Sequence, residues 1–187
     1  MAPIKDLAPA KARNDLWMDL ALVAFLIALG AAARLLPHPH GFLPVAASAL
    51  FAGRMLRIPA LALVVPVGAM LLSGLGLAGD DWRVSAVVYA AIAVPALGGI
   101  WSRRFTGALP VIGTMVGCSL FFFAASNFAV WAFSGMYPLT AEGLAACYVA
   151  ALPFLDKTVL GDLFWLGVLF GGAWLVQHNP LIARRPL

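Results

Sequence analysis

The chain has 187 residues, 63% of them hydrophobic and only 11% charged, with a formal net charge of +4. A soluble domain carries roughly 25% charged residues, so a core alone cannot hide this much apolar surface and lipid must cover the outside. The positive charge sits at the ends of apolar runs, with no basic patch interleaved with aromatics, which sets a nucleic-acid partner aside.

Residues 1–15 form a polar N-terminal segment. It does not read as a cleavable signal peptide, because the apolar run after it is long and has no evident cleavage site. A membrane-spanning helix needs about twenty apolar residues. Leu16–Leu36 meets this and ends at Pro37. Within it Ala24, Ala28 and Ala32 recur every four residues, a spacing that lets two backbones approach closely. That stripe serves either a helix of the same bundle or a docking face for another protein.

Gly41–Leu56 is a shorter second run whose Arg54 can snorkel to the interface. Ile58–Ala78 is the third, with Pro59 at its start and Pro66 inside, and Val84–Trp101 is the fourth. Ala108–Phe133 is the longest, which predicts tilt or a broken top; Gly113 and Gly117 make a small-residue stripe on it. In Pro138–Leu155, Thr140 can cap a helix, with Glu142 in its first turn and Pro153 near its end. The interruptions predict a short extra helix or a re-entrant segment there. Val159–Val176 is the sixth run. The expected fold is therefore all-α: a single six-helix transmembrane domain over residues 16–178, followed by a basic tail over 179–187.

Basic residues separate by side on this frame. Lys5, Lys11, Arg13, Arg54, Arg57, Arg103, Arg104, Arg184 and Arg185 fall on one side, nine of the 12 Lys and Arg. Arg34, Arg83 and Lys157 fall on the other. Lys and Arg are retained in cytoplasmic loops, so the expectation is a multi-pass protein of the bacterial inner membrane with both termini in the cytoplasm. A seventh span at Pro138–Leu155 would make the split less lopsided.

The outer side collects polar groups: Asp80, Asp81, Tyr137, Thr140, Glu142, Tyr148, Asp156, Thr158 and, just inside the sixth run, Asp162. A polar mouth over an apolar bundle suits a small-molecule pocket, although loops are polar in any case. Asn127, Asp162 and Arg34 are the costly groups at membrane depth, retained only with a partner or a wet cavity. Asn127 and Trp131 share a helix face and read either as ligand contacts or as an interhelical hydrogen bond. Arg34 with Asp156 or Asp162 could equally be a structural ion pair. His38 and His40 are weak metal candidates, two ligands where a zinc site needs at least three. No metal and no cofactor is expected. Cys118 and Cys147 read as buried thiols. Nucleophile elbow, phosphate-binding loop and paired-histidine zinc helix are all missing, so the chain is not read as an enzyme, and ATP-driven work would fall to a partner.

Two blocks carry a resemblance. One is Arg34-Leu35-Leu36-Pro37-His38-Pro39 followed by Phe42-Leu43-Pro44-Val45-Ala46-Ala47. The other is Asn127-Phe128-Ala129-Val130-Trp131, then Tyr137-Pro138-Leu139-Thr140, Gly143-Leu144, Cys147-Tyr148, Ala151-Leu152-Pro153-Phe154 and Thr158-Val159-Leu160-Gly161-Asp162-Leu163. Together they resemble a family of uncharacterised small bacterial membrane proteins. That family in turn resembles the substrate-binding S-components of energy-coupling-factor (ECF) vitamin transporters. The resemblance implies six helices, a vitamin or related compound bound near the outer face, and a transmembrane coupling protein with ATPase subunits as partners. It casts Ala24, Ala28 and Ala32 as the docking stripe. Some cobalamin-binding members use a cysteine ligand; neither Cys118 nor Cys147 matches that position.

The expected function is thus the substrate-binding component of a small-molecule uptake transporter. Asn127, Trp131, Tyr137 and Tyr148 are the expected contacts, with Arg34 and Asp162 shaping the rim. The alternative is a non-catalytic accessory subunit packed among other subunits of a larger membrane complex.

Overall fold

The computed structural model describes residues 7–36, 41–74 and 81–178, with side chains from residue 14 onward. His38, His40, Asp80, Arg184, Arg185 and the whole 179–187 tail lie outside the described residues, as do the side chains of Lys5, Lys11 and Arg13. Six α-helices follow in order: α1 (Leu7–Leu35), α2 (Val45–Met55), α3 (Val64–Gly74), α4 (Trp82–Ser102), α5 (Ala108–Phe133) and α6 (Ala141–His178), with a 3-10 turn at Pro59–Leu63 leading into α3. No strand occurs among the described residues.

Four helices, α1, α4, α5 and α6, are long and apolar enough to cross a membrane, which marks the chain as a membrane protein. α2 is shorter than its expected span, and α3 is described only as far as Gly74, since the expected end of the third run lies outside the described residues. α2 has 11 residues, a rise of about 16 Å against a hydrocarbon core of about 30 Å. The expected start at Gly41 fails because Gly41 adopts φ 80° and α2 begins only after Pro44. Leu56 is extended and ends α2. Ile58 is extended too, as a residue preceding proline tends to be, and Pro59 opens the 3-10 turn at a position where its missing N–H costs nothing.

α2 is the central element, buried from Val45 to Gly53 apart from Ala46. It lies parallel to α4 in direct backbone contact. A Cβ on Gly53 would run into the Ala96 carbonyl, and one on Gly99 into the Leu50 carbonyl. Glycine is required at both positions because nothing larger lets the backbones meet. Leu50, Ala52, Ala96, Met115 and Leu166 form the core around this contact.

α1 and α3 make a second parallel pair. Gly30 faces Ala69, and lower down the buried Asp19 accepts a hydrogen bond from the Ile58 N–H at 2.9 Å. That bond satisfies a backbone donor just before the 3-10 turn, where no helical partner exists. Asp15 pairs with Arg57 beside it. At the same end Arg54 donates to the Ser102 and Phe105 carbonyls, and Arg103 donates to Gly53 and Leu56. With Arg104 in the same α4–α5 connection, this is the arginine end of the bundle.

α5 and α6 form an antiparallel hairpin. Thr140 caps α6 through the Gly143 N–H at 3.2 Å, and Glu142 lies in its first turn, as expected. The separate extra helix or re-entrant segment does not appear. The stretch after Pro138 is the first half of one continuous helix of 38 residues, about 57 Å long. Pro138 lies ahead of the helix, and Glu142 and Gly143 belong to its capped first turn, so Pro153 is the one proline inside it.

Pro153 does not end the helix, and the hydrogen bonds to α5 show that the two helices do not advance in step. Cys147 meets the Asn127 carbonyl and Asp162 meets Ser119. Between these points α5 advances eight residues (119 to 127), about 12 Å, and α6 fifteen (147 to 162), about 22 Å. α6 therefore bows away from α5. The α1–α2 connection packs against it at this height: Gly41 lies against Thr158, and a Cβ on Gly161 would be 2.8 Å from the Gly41 carbonyl.

Candidate functional site

Beneath that connection is a cavity of about 130 Å³ to which all six helices contribute. Its walls are mainly apolar, from Val45, Met70, Val88, Ile92 and Phe122 among others. Five polar side chains line it: Arg34 on α1, Cys118 and Ser119 on α5, Thr158 and Asp162 on α6.

The last turn of α1 holds Arg34, where a cation suits the helix dipole. Its Nε donates to Ser73 Oγ at 2.7 Å, and the Ser73 hydroxyl donates in turn to the Ala69 carbonyl, also at 2.7 Å. The guanidinium is thus anchored to α3 through one of its five N–H groups. Asp162 is 4% exposed. Ser119 Oγ lies 2.7 Å from its Oδ2 and 3.0 Å from the Met115 carbonyl. Oδ1 has no hydrogen-bond partner among the described residues. Arg34 forms no ion pair with Asp162 or Asp156. The cavity therefore holds a guanidinium and a carboxyl group that are not paired with each other.

The other four expected contacts lie elsewhere, along the tip of the α5–α6 hairpin. Asn127 Nδ2 donates to the Phe123 carbonyl of its own helix at 2.8 Å. Trp131 Nε1 donates to the Pro138 carbonyl at 3.0 Å. Tyr148 donates to the Ala124 carbonyl at 2.6 Å, its ring edge-on to Phe123 at 5.7 Å. Tyr137 sits half-buried in the turn between the helices. None of the four lines the Arg34–Asp162 cavity. The polar atoms of Trp131 and Tyr148 join the hairpin to itself.

At the mouth of α4, Asp81 caps the helix through the Arg83 N–H at 2.8 Å. The Arg83 guanidinium bonded to Asp81 holds its carboxyl below the usual range. Arg83 also lies over the Phe133 ring at 5.2 Å, tying the start of α4 to the end of α5.

A second, larger cavity of about 580 Å³ opens at the arginine end, between the start of α5 and the end of α6. Val111, Ile112, Leu163, Leu166, Phe170 and Trp174 line it, with Arg54 and Gln177 as its polar groups. Ala24, Ala28 and Ala32 are all exposed, while Val23, Leu26 and Ala31 of the same helix turn inward. The alanine stripe is thus not an internal helix contact. Gly113 and Gly117 likewise face open space. Among the described residues no three His, Cys, Asp or Glu side chains come together as a metal site. Both cysteines are free and buried.

Sequence reasoning names Thr158 among the outer polar groups but gives no signal for Ser73 and Ser119. A hydroxyl on an apolar helix reads there as one more small residue, and only the cavity distinguishes it. The model for the family of unknown function DUF6580 matches residues 14–183, and the chain belongs to that family. No curated protein and no solved structure matches it.

Proposed function

We propose that this chain, as a member of that family, is the membrane-embedded binding component of a small-molecule uptake system, set in the bacterial inner membrane with its arginine end in the cytoplasm. The observation that carries this reading is the Arg34–Asp162 cavity, placed away from the arginine end and lined by two ionisable groups that form no ion pair among the described residues. Buried charges at membrane depth are costly and mark substrate or ion pathways. The orientation rests on Arg54, Arg57, Arg103 and Arg104 clustering at one end, the distribution expected of cytoplasmic loops.

Capture would occur from the outer side, with release inward when partner subunits shift the bundle. A transmembrane coupling protein driven by ATPase subunits is the proposed partner, and the exposed Ala24, Ala28 and Ala32 offer it a close-packing face. The cavity's 130 Å³ has room for roughly four waters at about 30 Å³ each, or a molecule about the size of benzene. This favours a small metabolite over a large vitamin.

A second reading, an accessory subunit of a larger membrane complex, is favoured by one observation: the larger cavity is apolar and opens at the arginine end. Native mass spectrometry of the protein, extracted gently from its own membranes, separates the two. An extra mass of one small molecule on the chain, lost in Arg34→Gln, supports the binding component. A stable assembly with other membrane subunits and no such mass overturns it in favour of the accessory subunit.

A further inference from the structure

Resting on the binding-component reading, the geometry points to a ligand class: we propose that the cavity takes a small zwitterion, with its carboxylate on Arg34 and its ammonium on Asp162. The two residues line one cavity from α1 and α6. Each is held by a hydroxyl at a single point, Arg34 Nε by Ser73 and Asp162 Oδ2 by Ser119. The remaining guanidinium N–H groups and Asp162 Oδ1 have no partner among the described residues.

An ionised group buried among apolar side chains needs a counter-charge. A ligand carrying only an anion would satisfy Arg34 and leave the buried Asp162 carboxyl without the cation it needs to ionise. A ligand carrying only a cation would do the reverse. A zwitterion answers both walls and brings no net charge to membrane depth, where uncompensated charge costs most. The guanidinium fork suits a carboxylate, which it can bind bidentately. The carboxylate of Asp162 is an acceptor for an ammonium's three donors. The apolar walls formed by Val45, Met70, Ile92 and Phe122 suit a short methylene chain between the two charges.

The test uses the full chain in lipid nanodiscs and a series of unbranched ω-amino acids of increasing length. Each is compared with the alkanoate and the alkylammonium of the same length. Binding is measured by calorimetry, beside Asp162→Asn and Arg34→Gln. The expected result is one chain length that binds at least about ten-fold tighter than either singly charged counterpart, which is about 1.4 kcal/mol. Asp162→Asn should erase the preference over the alkanoate, and Arg34→Gln the preference over the alkylammonium.

A singly charged compound that binds as tightly as the best zwitterion overturns the inference. So does a failure of the whole series to bind while protein from native membranes carries a small-molecule mass; the binding-component reading then stands. No probe bound and no native mass overturns both. The comparison of charges in the unaltered protein decides the matter even if a variant fails to fold.

Discussion

Arg54 and Arg103 each close the helix that carries the other. Arg54, in the last turn of α2, donates to the Ser102 and Phe105 carbonyls at the end of α4. Arg103, at the end of α4, donates to Gly53 at 2.7 Å and Leu56 at 2.6 Å, at the end of α2. The last carbonyls of a helix have no partner within it, and in two parallel helices they emerge side by side with their negative dipole ends together. The crossed arginines supply donors and positive charge to both ends at once.

Arg54→Ala and Arg103→Ala should therefore each lower stability by about 1.5–3 kcal/mol, the range for hydrogen bonds to a charged group. The double variant should be non-additive, because both side chains fasten the same helix pair. Thermal unfolding of the purified protein in a single detergent checks this. Arginines that served topology alone would leave the midpoint unmoved.

Gly53→Ala and Gly99→Ala should be among the most damaging single substitutions. Each new methyl meets a backbone carbonyl, which cannot rotate away as a side chain can. A loss of about 3 kcal/mol or more is expected, the upper range for overpacking. Gly113→Ala and Gly117→Ala, which open onto free space, should leave folding intact. Yield and monodispersity on size exclusion report the difference.

Asp19→Leu should cost about 1–3 kcal/mol by leaving the Ile58 N–H without its acceptor. Asp19→Asn keeps an acceptor oxygen and should recover most of that loss. Equal loss in both variants would mean that the charge, rather than the bond, matters. Hydrogen exchange at Ile58 gives the local readout.

Trp131→Phe deletes a hydrogen bond from α5 to the turn ahead of α6, and Tyr148→Phe one between α6 and α5. Each should lower stability by about 0.5–1.5 kcal/mol and leave affinity in the Arg34–Asp162 cavity unchanged. A fall in ligand affinity at constant stability would instead place the ligand at the hairpin tip.

How much of this was legible depends on whether a feature is local. Thr140 and Glu142 announce the start of α6 because a cap and its first turn lie within a few residues of each other. Arg34 and Asp162 stand out because charge at membrane depth is rare. Asp19 is different: its partner is the Ile58 N–H, on a segment far along the chain, and nothing around Asp19 announces it. Asn127 drew notice for its amide, yet that amide is spent on its own helix at the Phe123 carbonyl. The length of α6 is hidden in the sequence because prolines in apolar sequence look like breaks, whereas only Pro153 falls inside the helix and it does not stop it. The role of Arg54 followed the same logic: snorkelling to water and capping a neighbour are indistinguishable until the neighbour is placed.

One wall of α6 is shared. Asp162 lines the cavity under the α1–α2 connection, and the next residue, Leu163, lines the apolar cleft at the arginine end, as does Leu166 one turn on. The two chambers stand back to back across a single rod. An occupant that shifted α6 in one chamber would reshape the other, and any such free-energy linkage would be reciprocal. Whatever fills the cleft would alter the grip on the small molecule by the same factor that the small molecule alters the grip on it.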